Sequence, residues 1–147
     1  MNESEPGRDR YVRQVRYPPI GEAGQQKIST SRVMVCGGGA LGSVLANTRA
    51  RAGVGMLRIV DRDFLELNNL QRQVLYDEQD IESVLPKAIA AQAKLQQINS
   101  SIEVDAVVAD VDAGNIAELA AGVDLIVDGT DNFETRFLLN DFSVQSG

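Results

Sequence analysis

Residues 32–42 read Arg32-Val33-Met34-Val35-Cys36-Gly37-Gly38-Gly39-Ala40-Leu41-Gly42. Arg32 to Cys36 is a short β-branched run and reads as a strand. The six residues after it match G-x-G-x-x-G, and Ala40 to Ala52 reads as a helix, ended by Gly53 and Gly55. Leu41, Val44, Leu45 and Thr48 recur along it at helical spacing. Strand, glycine loop and helix in that order are the context the pattern needs. Gly37 permits a tight turn, Gly39 lets backbone approach a phosphate, and Gly42 lets the helix pack close to the strand. The helix N-terminus then offers unpaired N–H groups to an anion. A second strand, Leu57 to Val60, ends at Asp61, 19 residues beyond Gly42. An acid there is placed to accept hydrogen bonds from ribose hydroxyls. These features point to a nucleotide without choosing NAD over ATP.

Outward from this unit, strand and helix patterns alternate, which predicts an α/β fold with a mostly parallel sheet. Upstream, Gly21 to Ile28 reads as a short helix after the Pro18-Pro19 stop. Downstream, a long polar stretch runs to about Leu85 without clear periodicity, and such stretches are often functional. Pro86 opens a helix whose apolar face is Ala88, Ala91, Leu95 and Ile98. Ile102 to Val108 alternates as a third strand, and Asn115 to Ala121 is a short helix. Val123 to Val127 reads as a buried fourth strand. Phe133 to Val144 reads as a last helix with Phe137, Leu138 and Phe142 as apolar anchors. Right-handed crossovers predict the strand order 3-2-1-4, one half of a Rossmann-like, doubly wound sheet. On this reading residues 1–9 are a flexible leader, and 10–147 are a nucleotide-binding domain truncated to its N-terminal half.

Composition narrows the chemistry. With 44% hydrophobic residues in 147, the chain can bury a core. A net charge of −7 gives no electrostatic footprint for nucleic acid or an anionic membrane. The polar leader is no signal peptide and no apolar run could span a bilayer, so the expected location is the cytoplasm. There is no histidine, and Cys36 is the one cysteine. A disulfide within the chain and a zinc site are therefore excluded, and arginine, lysine and carboxylates must do any chemistry. Cys36, inside an apolar strand, reads as a small buried hydrophobe.

Further segments sharpen the reading. They are Asp61-Arg62-Asp63, Asn68-Asn69-Leu70-Gln71-Arg72-Gln73, Leu85-Pro86-Lys87 and Asp128-Gly129-Thr130-Asp131-Asn132, preceded by Arg10-Tyr11-Val12-Arg13-Gln14. In this order and spacing they resemble the E1-like adenylating enzymes, the ThiF/MoeB/HesA type that includes the bacterial enzymes of molybdopterin and thiamine biosynthesis. The adenylation domain of ubiquitin E1 is similar. The resemblance runs from Arg10 to the chain end. It implies ATP and Mg²⁺ as ligands, with Gly37, Gly39, Ala40, Gly42 and Asp61 binding the nucleotide and Asn69, Arg72 and Lys87 on its phosphates. It also implies Asp131 on Mg²⁺ beside Asn132, and Arg13 reaching a neighbouring subunit's site in a homodimer. The implied reaction is adenylation of the C-terminal carboxylate of a ubiquitin-like sulfur-carrier protein ending in Gly-Gly. Molybdopterin, thiamine and other sulfur-transfer pathways share these motifs.

Physical reasoning runs alongside. A triphosphate and a departing pyrophosphate call for clustered cations, which a dehydrogenase does not need. Taken singly, Arg72 reads as a surface arginine, Asp63 as a solvated acid, and Asp131 and Asn132 as helix caps. Lys87 at a helix start opposes the macrodipole, which favours a functional reading. Ala40 stands where the family usually has glycine. The cysteine that receives the activated carrier in the family, and the Cys-x-x-Cys pairs that bind zinc in many members, have no counterpart here, so an incomplete chain with little turnover of its own is expected. Two other readings stay open at this point: a nicotinamide-dependent oxidoreductase fragment, and a non-catalytic nucleotide-binding scaffold.

Overall fold

A computed structural model describes residues 9–147; the leader read over residues 1–9 lies, apart from Asp9, outside them. The elements are α1 (Val12–Val15), α2 (Gly21–Thr30), β1 (Arg32–Cys36), α3 (Ala40–Ala52), β2 (Met56–Val60), a 3₁₀ turn (Leu67–Asn69) and α4 (Glu78–Glu82). After these come α5 (Lys87–Ile98), β3 (Glu103–Val107), α6 (Ile116–Leu119), β4 (Leu125–Asp128) and α7 (Phe133–Ser146). The polar stretch before Leu85 thus holds two short helical segments that periodicity could not reveal.

The four strands form one parallel sheet in the order β3-β2-β1-β4, as the sequence predicts. In register, Cys36 sits between Val60 on one side and Asp128 on the other, so the carboxyl ends of three strands finish level. Alternation along the strands splits the core into two layers. Val33, Val35, Leu57, Ile59 and Val104 face α3 and α5, packing on Ala46, Ala50, Ala88, Ala91 and Leu95. Met34, Cys36 and Val60 face the other way, onto Ile116 of α6 and Leu139 of α7. Helices on both faces define a doubly wound sheet.

Two expectations change. The face of α3 that meets the sheet is made of Gly42, Ser43, Ala46 and Ala50, whereas Leu41 and Val44 are exposed. Small side chains bring the helix axis close to the sheet, and the helix turns to use them. The fourth strand and last helix are also more open than expected. Among the described residues β4 pairs with β1 alone, and Leu125 is exposed. Of α7, Leu139 is buried, Leu138 and Phe142 are partly buried, and Phe133, Phe137 and Val144 face outward.

Candidate functional site

A cleft of about 1090 Å³ opens at the carboxyl ends of the strands. Its volume suits a nucleotide-sized ligand. Its floor is the glycine loop. Gly37 has φ 87°, a left-handed conformation that favours glycine, and a Cβ there would crowd the Gly129 carbonyl oxygen at 2.9 Å. A Cβ on Gly42 would overlap the Gly37 carbonyl, and one on Gly129 would meet the Gly42 Cα at 2.7 Å. Three glycines therefore interlock the turn after β1, the start of α3 and the end of β4. Gly39 differs: a Cβ there would approach only Gln73 Nε2, at 3.8 Å. The chain's own packing does not require glycine at 39, so that space faces the cleft.

Asp61 fixes the loop from the side. Its Oδ2 accepts the Gly38 N–H at 2.7 Å, and its Oδ1 accepts the Asp63 N–H at 2.7 Å. Each carboxylate oxygen keeps a lone pair for a further donor such as a hydroxyl. Close to Asp61, the Tyr76 hydroxyl donates to the Gly38 carbonyl at 2.8 Å. Burial, and after it the carboxylates of Asp61 and Asp80, push the Tyr76 phenol up, so it remains a donor.

The predicted phosphate residues line the same cleft: Asn69, Arg72, Lys87, Asp131 and Asn132, with Gly37, Gly39, Ala40 and Asp61. Gly42 lies behind them as the packing glycine. Lys87 is the first residue of α5, and its side chain is 8% exposed. Its ammonium lies 3.6 Å from Asp63 Oδ2; Asp63 is exposed, as the sequence reading has it, and adds this ion pair. Asp63 also approaches Arg62 at 3.7 Å, and Arg62 bridges to Asp110 at 2.6 Å. Arg72 is exposed, donates to the Asn68 carbonyl at 2.9 Å, and has no carboxylate partner among the described residues. Asn69 is buried and spends its Oδ1 on the Glu66 N–H at 3.0 Å in a capping box. Asn132 is the N-cap of α7, accepting the Glu134 N–H at 2.8 Å. Asp131 caps nothing and makes no hydrogen bond or ion pair to a described residue, so its carboxylate is free to meet a ligand.

Around a glycine loop at the strand ends, the cleft sets the Asp63-paired Lys87 and, unpaired among the described residues, Arg72 and the carboxylate of Asp131. The profile of the ThiF family matches residues 11–147. The chain belongs to the ThiF family. It is 49% identical over 138 residues to the sulfur carrier protein ThiS adenylyltransferase of Bacillus subtilis, covering 94% of this chain and 41% of that protein. It is 44% identical to the SAMP-activating enzyme E1 of Haloferax volcanii, covering 90% of this chain and 48% of that enzyme. Among solved structures, the E. coli tRNA N6-threonylcarbamoyladenosine dehydratase TcdA in complex with ATP superposes with a TM-score of 0.80 at 28% identity, over 88% of this chain and 52% of that one. This ThiF-family chain thus spans about half the length of the relatives it matches.

In this ThiF-family chain Arg13 is exposed and does not line the cleft. Its neighbours explain why. Arg10 donates to the Ile98 carbonyl at 3.1 Å, and Gln14 donates to the Ala52 carbonyl at 3.0 Å. The Tyr11 hydroxyl accepts from Asn99 Nδ2 at 2.8 Å. These are the C-terminal ends of α3 and α5, whereas the cleft lies at their N-termini. The 13 residues of α3 separate the two ends, roughly 20 Å at 1.5 Å per residue. Arg10, Tyr11 and Gln14 are anchors, and Arg13 lies outside its own cleft.

Two residues that the sequence reading quotes only as part of the Asp128–Asn132 segment gain individual structural roles. Gly129 completes the glycine interlock, and Asp128 steadies the loop that carries Asp131. Asp128 accepts from Thr130 Oγ1 at 2.6 Å and from Arg136 Nε at 2.7 Å. Burial raises the Asp128 carboxyl, but the hydrogen bonds from Thr130 and Arg136 outweigh it and hold the group below the usual carboxylate range. Cys36, fully buried, has its thiol pushed up to about 12 by burial and then by Asp128, which suits the packing role read from sequence.

Proposed function

We propose that this chain is the nucleotide-binding half of an ATP-dependent adenylating enzyme acting on the Gly-Gly carboxylate of a ubiquitin-like sulfur carrier. The observation that carries the reading is the meeting of Arg72, Lys87 and Asp131, far apart in sequence, around the cleft floored by Gly39. The names of the relatives, adenylyltransferases and an E1, point the same way.

In the proposed reaction a carrier carboxylate oxygen attacks the α-phosphorus of ATP. The new bond is the acyl-phosphate linkage; the bond broken joins the α-phosphorus to the bridging oxygen, and pyrophosphate leaves with that electron pair. The chain supplies placement and charge stabilisation rather than a covalent group. Asp61 would hold the ribose hydroxyls, the N–H groups at the start of α3 the phosphates, and Arg72 and Lys87 the charge developing on pyrophosphate. Ala40, with no side chain beyond Cβ, keeps that helix start open. Asn69 and Asn132 shape the walls through their capping bonds. Mg²⁺ fits the donor set, because it is commonly held by one or two carboxylates plus phosphate oxygens, and Asp131 is such a carboxylate. When bound it would offset phosphate charge. Zinc in the complete protein stays possible on this reading, but this chain, with no histidine and a single cysteine, offers no thiolate or imidazole set to hold it. Arg13 belongs, on this reading, to the site of a second subunit in a homodimer. A cytoplasmic location is part of the proposal; no helix among the described residues is long and apolar enough to cross a membrane.

Thermal shift with nucleotides tests it. ATP with Mg²⁺ should raise the melting temperature and NAD should not. A shift with NAD alone would favour the oxidoreductase reading, and no shift from either, in a folded chain, the scaffold reading.

A further inference from the structure

Gln73 lies against the glycine loop in the wall of the cleft and is only 3% exposed. Its backbone is held firmly. The N–H donates to the Asn69 carbonyl at 2.9 Å, the carbonyl accepts from the Tyr76 N–H at 3.2 Å, and the Tyr76 hydroxyl donates to Gly38 at 2.8 Å. The side-chain amide, in contrast, makes no hydrogen bond to any described residue, and Oε1 is enclosed without a partner. Nε2 lies 3.8 Å from the point a Cβ on Gly39 would occupy, and no other atom comes within 4 Å of that point. Buried amides are nearly always paired, and leaving one unpaired is costly. The enclosed atom is the acceptor Oε1. The donor Nε2, likewise without a partner among the described residues, lies beside the one loop glycine that the fold's own packing does not require, and it is this donor that a ligand there would meet.

We propose that Gln73 is a ligand-contacting residue, its Nε2 donating a hydrogen bond to a phosphate oxygen of the nucleotide lodged over Gly39. The inference rests on the nucleotide reading above and adds a specific partner to it. The chemistry is complementary: phosphate oxygens are acceptors, and the Nε2 amide is a donor with no acceptor among the described residues. Arg72 and Lys87 attract phosphate through charge, which acts over a distance. A neutral amide acts only at short range and in one direction, so it fixes orientation rather than adding charge. Gln73 would thus distinguish a nucleotide from its nucleoside and set the rotation of the phosphate nearest α3.

Calorimetry on this chain with ATP, and with adenosine as a phosphate-free probe, tests the assignment. Gln73→Met keeps the length and removes both polar poles; Gln73→Glu keeps the shape and replaces the donor with an acceptor. ATP affinity should fall roughly ten- to a hundred-fold in Gln73→Met, as for loss of a hydrogen bond to a charged group, and further in Gln73→Glu. Adenosine affinity should be unchanged in both, and the ligand-free melting temperature of Gln73→Met should not fall. If the variants bind ATP like wild type, or lose ATP and adenosine in equal measure, Gln73 is a packing residue and the inference is wrong. If Gln73→Met does not fold, the ATP-to-adenosine ratio of Gln73→Glu decides. Failure of the wild-type chain to bind ATP overturns the nucleotide reading itself, and this inference with it.

Discussion

Lys87 and Asp63 are joined twice: the Lys87 N–H donates to the Asp63 carbonyl at 2.8 Å, and the ammonium lies 3.6 Å from the Asp63 carboxylate. The double link fixes the start of α5 to the segment leaving β2, with a buried cation at the rim between them. A positive charge at a helix N-terminus opposes the macrodipole, and the Asp63 carboxylate offsets that cost. A triphosphate entering the cleft would be a stronger partner. In the complete enzyme, Lys87→Ala, Arg72→Ala and Asp131→Ala should each cut ATP–pyrophosphate exchange by about a hundred- to a thousand-fold with the fold retained. Wild-type exchange in the Lys87 and Asp131 variants would remove the roles given to those residues.

Asp61 separates binding from scaffold. Ribose contacts exist in ground and transition states alike, so Asp61→Ala should chiefly weaken nucleotide affinity. Because the carboxylate also accepts the Gly38 and Asp63 N–H groups, the same variant should lose about 1–3 kcal/mol of stability. Asp61→Asn, which keeps one acceptor, should lose less. Urea titration together with nucleotide affinity resolves the two effects.

The loop glycines should divide in the same way. Gly42→Ala forces a methyl into the Gly37 carbonyl and should prevent stable folding. Gly39→Ala has room within the chain and should fold with a near-normal melting temperature, yet bind ATP poorly because the methyl enters the cleft. Equal melting temperatures for the two variants would contradict the interlock of Gly37, Gly42 and Gly129.

Strand order and the glycine loop were legible because each rests on local pattern plus handedness; the grouping of Arg72, Lys87 and Asp131 was an expectation from the family resemblance, not from any local pattern. The packing face of α3 was not legible. Leu41 and Val44 carry the hydrophobic signal, but Ser43, Ala46 and Ala50 carry the close approach, and periodicity weights size rather than fit. Val123 to Val127 reads as a buried fourth strand, but burial depends on a neighbour that the sequence of the strand does not contain. Gln73 sat in plain view beside Arg72; only coordinates show that its amide lacks a partner.

Arg13 should act on another subunit. Mixing inactive Arg13→Ala with inactive Lys87→Ala forms of the complete enzyme should restore exchange in hybrid dimers, each of which contains one intact site. No recovery would return Arg13 to a role within its own subunit.

Cys36 gives a pH prediction. Its thiol has an ordinary value of 9.0 when unfolded and about 12 when folded. A raised folded pKa means the unfolded chain releases the proton first, so the thiol's contribution is fully present below about pH 9 and is lost as pH rises toward 12. Cys36→Ala should flatten that part of the alkaline stability curve, measured by denaturant midpoints. Alkylation of Cys36 at neutral pH should be slow until the chain unfolds.

The open side of β4 also governs how copies of this chain treat one another. A parallel strand with one neighbour presents a row of unused N–H and C=O groups, and Leu125 adds an apolar contact beside it. Such an edge is a template for another chain's edge. What opposes the pairing is the net charge of −7, which makes copies repel. The repulsion is screened within about 10 Å at 0.1 M salt, while hydrogen bonding along the edge is not. For this 147-residue chain, association through that edge should therefore grow with ionic strength, and light scattering across a salt series would show it.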